Sequence, residues 1–176
     1  MNDTFIKDRP LRTQMTGLSA KGSDSDEKGE VTVDDATLFL ARFANGALSF
    51  EASRFATGHR CKNSFEINGS KGSVIFDFER MNELQVYFTD DRDDVQGFRL
   101  VLAIDPAHAF AEAWWPPGHT IGYEHTFIHE VVELMESFRE NRQPVSNFRD
   151  GVKCQEVLEA VVLSIYKRQW IQISEV

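Results

Sequence analysis

Alternation of hydrophobic and polar positions predicts a series of β-strands over the first two thirds of the chain. Residues 31–43 are rich in β-branched and aromatic side chains, and a second such run covers residues 48–55. Asn45-Gly46 lies between the two runs and predicts a hairpin, because a type I′ turn needs positive φ at both central positions. The second strand has one face that is apolar until its last position, formed by Leu48, Phe50, Ala52 and Arg54.

Four further strands are predicted from the same period of two. They cover residues 63–69, 70–78, 84–88 and 97–103. Because the connections between consecutive strands are short, the pattern predicts mainly antiparallel pairing.

The last third of the chain changes to helical periodicity. The first helix, from about residue 123 to residue 141, has an apolar stripe formed by Tyr123, Phe127, Val131, Leu134, Met135 and Phe138. The second, from about residue 148 to residue 167, has a stripe formed by Cys154, Val157, Leu158, Val161, Val162 and Ile165. The inclusion of Cys154 in this stripe predicts that it packs rather than reacts. Residues 170–174 predict a final strand that returns to the sheet edge.

Strands followed by helices predict an α+β fold. We expect a large, mainly antiparallel open sheet with both helices packed on one face. The other face would then be available for association with a second subunit.

The first 30 residues have a different composition. Residues 18–30 are rich in Gly, Ser, Lys and Asp, which predicts a mobile surface loop, and residues 4–11 fit the remnant of a strand. We therefore divide the chain into residues 1–30, a strand remnant with a flexible polar loop, and residues 31–176, an α+β domain.

Composition limits the possible functions. The formal net charge of -9 argues against nonspecific binding to nucleic acid or to an anionic membrane, since both require clustered Lys and Arg. Neither a secretory signal nor a membrane-spanning stretch is predicted. Cys61 and Cys154 form no CxxC motif, so free thiols and a cytoplasmic location are expected.

Functional side chains are concentrated between residues 113 and 129. Trp114 and Trp115 precede Pro116-Pro117 and are predicted on a rigid loop. They could stack against a sugar face or fold back into the core, and the sequence leaves both alternatives open. His119, Tyr123 and His125 stand at or just before a helix start, where free backbone N–H groups favour polar or anionic ligands.

His125 and His129 are four residues apart, with Glu133 one turn further along the predicted helix. Two histidines and a carboxylate on one face could hold zinc, which gives a small metal-dependent hydrolase as one alternative function. The residue after His125 is Thr126, so the HExxH pattern is absent. A polar face directed at solvent, at a pocket or at a neighbouring domain is favoured, and no metal site is predicted.

Arg54 and His59 form a second candidate group. Arg54 ends an otherwise apolar strand face, and its charge must reach water, a carboxylate or a ligand. Pairing within the protein and contact with a ligand or cofactor both remain open.

Four segments of the chain resemble the C-terminal domain of the glucose–fructose oxidoreductase / inositol dehydrogenase / rhizopine-catabolism (Gfo/Idh/MocA) family. They cover residues 33–58, 65–87, 118–138 and 144–165. In that family an N-terminal Rossmann domain binds NAD or NADP, and the C-terminal α+β domain supplies a pocket wall and a sheet that packs against another subunit. The resemblance implies hydride transfer to or from a sugar, inositol or related polyol.

The family's catalytic motifs have no match in this chain. There is no GxGxxG, no Glu-Lys-Pro and no Asp-x-x-x-His, so we expect no catalytic residues here and an inactive fragment. The resemblance implies substrate contacts from Arg54, His59, Trp114, Trp115, His119, Tyr123 and His125. It also implies three partners: the Rossmann domain, a second copy of the chain and a small sugar or polyol. A non-enzymatic ligand-binding or assembly module is a further alternative.

Overall fold

The computed structural model describes residues 1–12, 24–55 and 58–176 and has an α+β fold, as predicted. Both predicted helices are present with nearly the predicted limits. The strands of the described ranges are β1 (Asn2–Asp3), β2 (Asp8–Arg12), β3 (Asp24–Glu30), β4 (Ala36–Arg42), β5 (Leu48–Arg54), β6 (Ser64–Gly69), β7 (Gly72–Asp77), β8 (Glu83–Phe88) and β9 (Arg99–Leu102). The helices are α1 (Tyr123–Glu140) and α2 (Phe148–Lys167).

The strands pair antiparallel in three sheets rather than in one large sheet. Their orders are β1-β4-β5, β2-β3 and β6-β7-β8-β9. The chain divides into two compact units, the first formed by Met1–Thr57 with Phe148–Val176 and the second by Gly58–Asn147. The predicted division at residue 30 does not coincide with either unit boundary, because β1 pairs with β4 across that position.

The predicted hairpin between β4 and β5 is present, but its turn differs from the predicted type. The ladder closes at Arg42 and Leu48, and the Gly46 N–H donates to the Phe43 carbonyl at 2.9 Å. Gly46 has a φ of 89°, whereas Asn45 is not among the positive-φ residues. A type I′ turn needs both, so the turn is type I with a glycine bulge.

The prediction of a loop over residues 18–30 is wrong for its second half. Residues 18–23 lie outside the described ranges, but Asp24–Glu30 is strand β3 and pairs with β2. The Val31 N–H extends this ladder by donating to the Lys7 carbonyl at 2.8 Å. Backbone hydrogen bonds can form a strand from polar residues with little to bury, and composition alone does not reveal this.

The predicted strand over residues 170–174 is also wrong. A 3-10 turn occupies Ile173–Glu175. The Gln172 N–H donates to the Glu175 carboxylate at 2.8 Å, and the Glu175 N–H donates to the Gln172 carbonyl at 2.9 Å. These local bonds take the backbone groups that a sheet ladder would need.

The apolar stripe of α1 is exposed, whereas that of α2 is mixed, with Val161 and Ile165 partly buried and Leu158 and Val162 exposed. The predicted stripe of α1 is 40–67% exposed, and the less exposed side of that helix carries His125, His129 and Glu133. Cys154 on α2 is a free, exposed thiol, so its predicted burial is wrong. Within the described ranges, neither helix is both long enough and apolar enough to cross a bilayer.

Candidate functional site

The second unit holds the candidate site at the segment before α1, residues 110–122, which we call the aromatic loop. Phe110 begins it with a left-handed backbone, φ 66°, and a 3-10 turn follows over Ala111–Ala113. Asn82, just before β8, fixes the other end. Its Oδ1 accepts the Ile121 N–H at 3.0 Å, and its Nδ2 donates to the Ile121 carbonyl at 2.9 Å. Both ends of the loop therefore have a defined backbone position.

His125 caps the start of α1. Its ring Nδ1 accepts the Gly122 N–H at 3.0 Å, and its backbone N–H donates to the Gly122 carbonyl at 3.2 Å. This is the role that Glu or Gln plays in a capping box. Because Nδ1 acts as an acceptor, the neutral ring carries its proton on Nε2. A carboxylate oxygen of the exposed Glu124 lies 3.5 Å from the same Nδ1. In the neutral ring this Nδ1 carries no proton, so it donates no hydrogen bond to Glu124.

Four rings pack together at this end of the second unit, and we call Phe110, Trp114, His125 and His129 the aromatic cluster. Trp114 Nε1 donates to His129 Nε2 at 2.6 Å, and its ring meets His125 edge-on with centroids 4.3 Å apart. Phe110 stacks on His129 with a centroid distance of 4.5 Å and an interplanar angle of 14°. Trp114 is therefore half-buried within the protein, while Trp115 is 51% exposed.

The aromatic cluster favours a neutral His129. Burial lowers the pKa of His129 first, and the Coulombic interaction with nearby His125 lowers it further. Since Nε2 accepts the indole N–H, the remaining ring proton is on Nδ1.

Tyr123 lies at the edge of this region and connects it to the turn after β7. Its ring meets Phe78 edge-on at 5.9 Å and Phe127 edge-on at 5.0 Å. Glu79, the neighbour of Phe78, is 3.0 Å from His59 Nδ1 and accepts the backbone N–H of Arg60 at 2.8 Å. His59 and the backbone N–H groups of Arg60 and Cys61 lower the pKa of Glu79 to about 2. His59 is thereby anchored to the turn that contacts Tyr123.

The structure brings some of the predicted site residues together and leaves others apart. Trp114 and His125 touch, and Tyr123 follows Gly122 at the start of α1. His119 donates from Nδ1 to the Pro116 carbonyl at 3.0 Å and is exposed. Arg54 is exposed at the end of β5 in the first unit, and its side chain forms no hydrogen bond or ion pair with other residues of the described ranges. Internal pairing of Arg54 is therefore not observed there.

The side chains of His125, His129 and Glu133 are not arranged to bind zinc together. Glu133 is held by Arg142 at 2.6 and 3.1 Å and accepts the Val145 N–H at 3.0 Å. His129 Nε2 is occupied by the indole donor. In the part of the chain that the structure describes, no three His, Cys, Asp or Glu side chains are grouped as metal ligands.

The first unit contains two adjoining clefts between β4 and the end of α2. Their volumes are about 680 and 740 Å³, and both are bordered by Phe39, Leu40, Val161 and Trp170. None of the seven predicted site residues lines either cleft. Because the predicted site residues lie outside both clefts, we place the candidate site at the aromatic cluster.

Sequence reasoning missed several residues that shape this site. Phe110 lies before residues 113–129, the segment in which functional side chains were predicted. Asn82 and Glu79 form hydrogen bonds to backbone groups that are distant in sequence. For His129 the sequence predicted a metal ligand or part of a polar face directed at solvent, at a pocket or at a neighbouring domain, but not a contact with Trp114. Its spacing of four from His125 was the available signal, because it places both rings on one face of α1.

The described residues do not fit a dinucleotide site on their own. All the strand pairs in the described ranges are antiparallel. Dinucleotides bind where a parallel strand leads through a glycine-rich turn into a helix, whose N-terminus meets the pyrophosphate. The described ranges offer no such parallel unit.

Comparison with known proteins gives consistent matches over the chain. A family model described as "Oxidoreductase family, C-terminal alpha/beta domain" matches residues 13–173. A levoglucosan dehydrogenase from Pseudarthrobacter phenanthrenivorans is 39% identical over 178 residues, which is 98% of this chain and 45% of that protein.

Two solved structures show the same coverage. An oxidoreductase domain protein from Kribbella flavida is 47% identical with a TM-score of 0.86, over 98% of this chain and 44% of that one. Levoglucosan dehydrogenase in complex with NADH and L-sorbose is 36% identical with a TM-score of 0.85, over 98% of this chain and 43% of that one. The chain thus spans less than half the length of the relatives it matches, and it belongs to the Gfo/Idh/MocA oxidoreductase family as a C-terminal α/β domain.

Proposed function

We propose that this chain is the substrate-binding domain of an NAD(P)-dependent oxidoreductase that acts on a sugar or a related polyol. Hydride transfer then requires residues outside this chain, and NAD or NADP is bound mainly by a Rossmann domain of the intact enzyme. The relatives' names support a sugar substrate, since levoglucosan and L-sorbose are the ligands they mention.

The aromatic cluster is the observation that carries this proposal. A half-buried indole beside two histidines combines an apolar surface with hydrogen-bonding groups, which suits a sugar ring and its hydroxyls. Trp115 and Tyr123 are exposed next to it and add aromatic surface. The Tyr123 hydroxyl has no hydrogen-bond partner within the described ranges, so it is available to a ligand.

Substitution of Trp114 in the full-length enzyme that carries this chain tests the proposal. We expect Trp114→Ala to raise the KM for the sugar roughly three- to tenfold, since an aromatic contact contributes about 0.5–1.5 kcal/mol. Trp170→Phe in the first unit serves as the control and should leave KM unchanged. Steady-state kinetics with levoglucosan, L-sorbose and myo-inositol measure the effect.

Two results would contradict the proposal. One is an unchanged KM for every sugar in the Trp114→Ala enzyme. The other is NAD-dependent turnover by the isolated chain, which would mean that the catalytic groups are present here. Saturable NADH binding by the isolated chain would separately overturn the assignment of the cofactor to another domain.

We also propose that the apolar face of the β1-β4-β5 sheet supports association with a second copy of the chain. Leu38, Leu40, Leu48 and Phe50 are exposed together on that face. Contiguous exposed apolar surface of this kind is typical of protein interfaces.

A further inference from the structure

His129 contacts the aromatic loop at two separate points. It accepts the Trp114 indole N–H at 2.6 Å and stacks on Phe110 at 4.5 Å. Phe110 has a φ of 66°, a left-handed backbone that a bulky residue adopts only when its surroundings enforce it. One side chain of α1 therefore holds both the strained start of the loop and its half-buried tryptophan.

The indole bond depends on the protonation state of His129. An indole N–H can only donate, so Nε2 must offer a lone pair and the ring must be neutral. When Nε2 binds a proton, two N–H groups face each other and the bond is lost. The Phe110 stack survives this change, because a cation over an aromatic face is attracted to it.

We infer that His129 is a positioning residue, which in its neutral form holds Trp114 in the pocket wall and on protonation releases it. The inference rests on the proposed function only where it calls this wall a sugar pocket. The contacts themselves stand independently of the substrate.

The surroundings of His129 place its protonation on the acid side of neutral pH. Burial is the first cause that lowers the pKa of His129, and the Coulombic interaction with His125 on the same helix adds to it. Phe110 and Trp114, which pack against the ring from the loop, do not titrate in this range. Glu133, one turn further along α1, is neutralised by Arg142, and Glu130 is exposed. His129 forms no ion pair with another residue of the described ranges. Burial therefore keeps the ring neutral until the pH falls below 6.5, its ordinary pKa.

The test is an NMR titration of the three tryptophan indole N–H signals of the whole chain, between about pH 5 and 8. We expect the Trp114 signal to shift upfield as the pH falls through the pKa of His129, because its hydrogen bond breaks. The Trp115 and Trp170 signals should not follow this titration, since neither indole bonds to a histidine in the described ranges.

Two substitutions of His129 separate its role from general stability. Gln places a neutral acceptor near the position of Nε2, so His129→Gln should keep the Trp114 signal downfield and abolish its titration. Leu has no acceptor, so His129→Leu should give the upfield signal at every pH. His119→Gln, in the same loop, should retain the native titration.

A Trp114 signal that does not titrate in the native chain, or that titrates equally in His129→Gln, would overturn the inference. Sugar kinetics of the full-length His129→Gln enzyme provide the separate readout. The KM of the native enzyme should rise at low pH, and that of the His129→Gln enzyme should not. If the NMR titration succeeds while KM is insensitive to both His129 and Trp114, the sugar pocket is wrong and the positioning role remains.

Discussion

At the scale of single residues, Asp35 shows how one carboxylate orders a segment that composition left undefined. It is only 6% exposed. Its Oδ2 accepts the N–H groups of Phe5 and Ile6 at 2.7 and 2.8 Å, and its Oδ1 pairs with Arg9 at 2.5 Å. The backbone bond from Ile6 is the largest of the causes that lower the pKa of Asp35. A buried acceptor of this kind fixes the path of the chain between β1 and β2.

Asp35→Ala should therefore release the N-terminal segment. We expect amide hydrogen exchange of Phe5 and Ile6 to accelerate roughly tenfold or more, because each donor loses its acceptor. Asp8→Ala is the matched control, since Asp8 is exposed and its side chain has no hydrogen-bond partner within the described ranges. Equal exchange rates in the native chain and the Asp35→Ala chain would show that other contacts hold this segment.

At the scale of elements, the end of α1 depends on a charge cluster. Asn141 adopts a left-handed backbone with φ 51°, and the Arg142 N–H returns to the Ser137 carbonyl at 3.0 Å. The Arg142 guanidinium then bonds Glu133, and its Nε lies 2.7 Å from Glu140. Arg142 is the largest cause that lowers the pKa of Glu133 to about 2. The polar face of the helix is thus satisfied by the segment that follows it.

Glu133→Gln should weaken this helix end in a pH-dependent way. A carboxyl whose pKa falls from 4.5 to about 2 on folding stabilises the folded state above pH 4.5, and the contribution is lost as the pH falls between these values. We expect a lower denaturant midpoint for Glu133→Gln at neutral pH and a smaller difference from the native chain in acid.

The control for this comparison is Glu130→Gln, an exposed carboxyl on the same helix. It should leave the denaturant midpoint nearly unchanged at each pH. A difference between native and Glu133→Gln chains that is constant with pH would contradict the ion-pair explanation.

At the scale of the whole molecule, the described chain exposes apolar surface in both of its units. Phe50 is 85% exposed on β5 of the first unit, and the stripe of α1 is exposed in the second. Burying such side chains removes apolar area from water and is the main favourable contribution to association. These faces fit a domain that works in contact with other protein surfaces.

Phe50→Lys should reduce self-association of the chain if the β1-β4-β5 sheet forms a subunit interface. A charge at the centre of an apolar interface is costly to desolvate, so the dimer should dissociate at concentrations where the native chain remains associated. Sedimentation velocity measures the change. Ser53→Lys, which places the same charge on the other face of β5, should associate like the native chain, and a loss of association in both variants would argue against this face.

The local sequence was enough to predict the helices, six of the strands and the α+β class. These features follow from hydrophobic periods of 2 and 3.6, which each segment carries by itself. The four resembling segments also indicated the family, which the family model over residues 13–173 confirms. The type of the turn at Gly46, strand β3 and the 3-10 turn at the C-terminus were not predicted, because they depend on backbone hydrogen bonds that side-chain patterns do not encode.

The sequence predicted several of the residues that form the site, whereas only the tertiary structure decided how they are arranged. Trp114 and His125 were named from the sequence, but the bond from Trp114 to His129 and the stack on Phe110 join residues whose contact no local pattern encodes. Asn82 likewise reaches Ile121 across 39 positions. Sequence determines which chemical groups are available and which local elements carry them. Only the folded chain brings Trp114 within hydrogen-bonding distance of His129 and buries the ring, and burial is the first cause of the lowered pKa of His129.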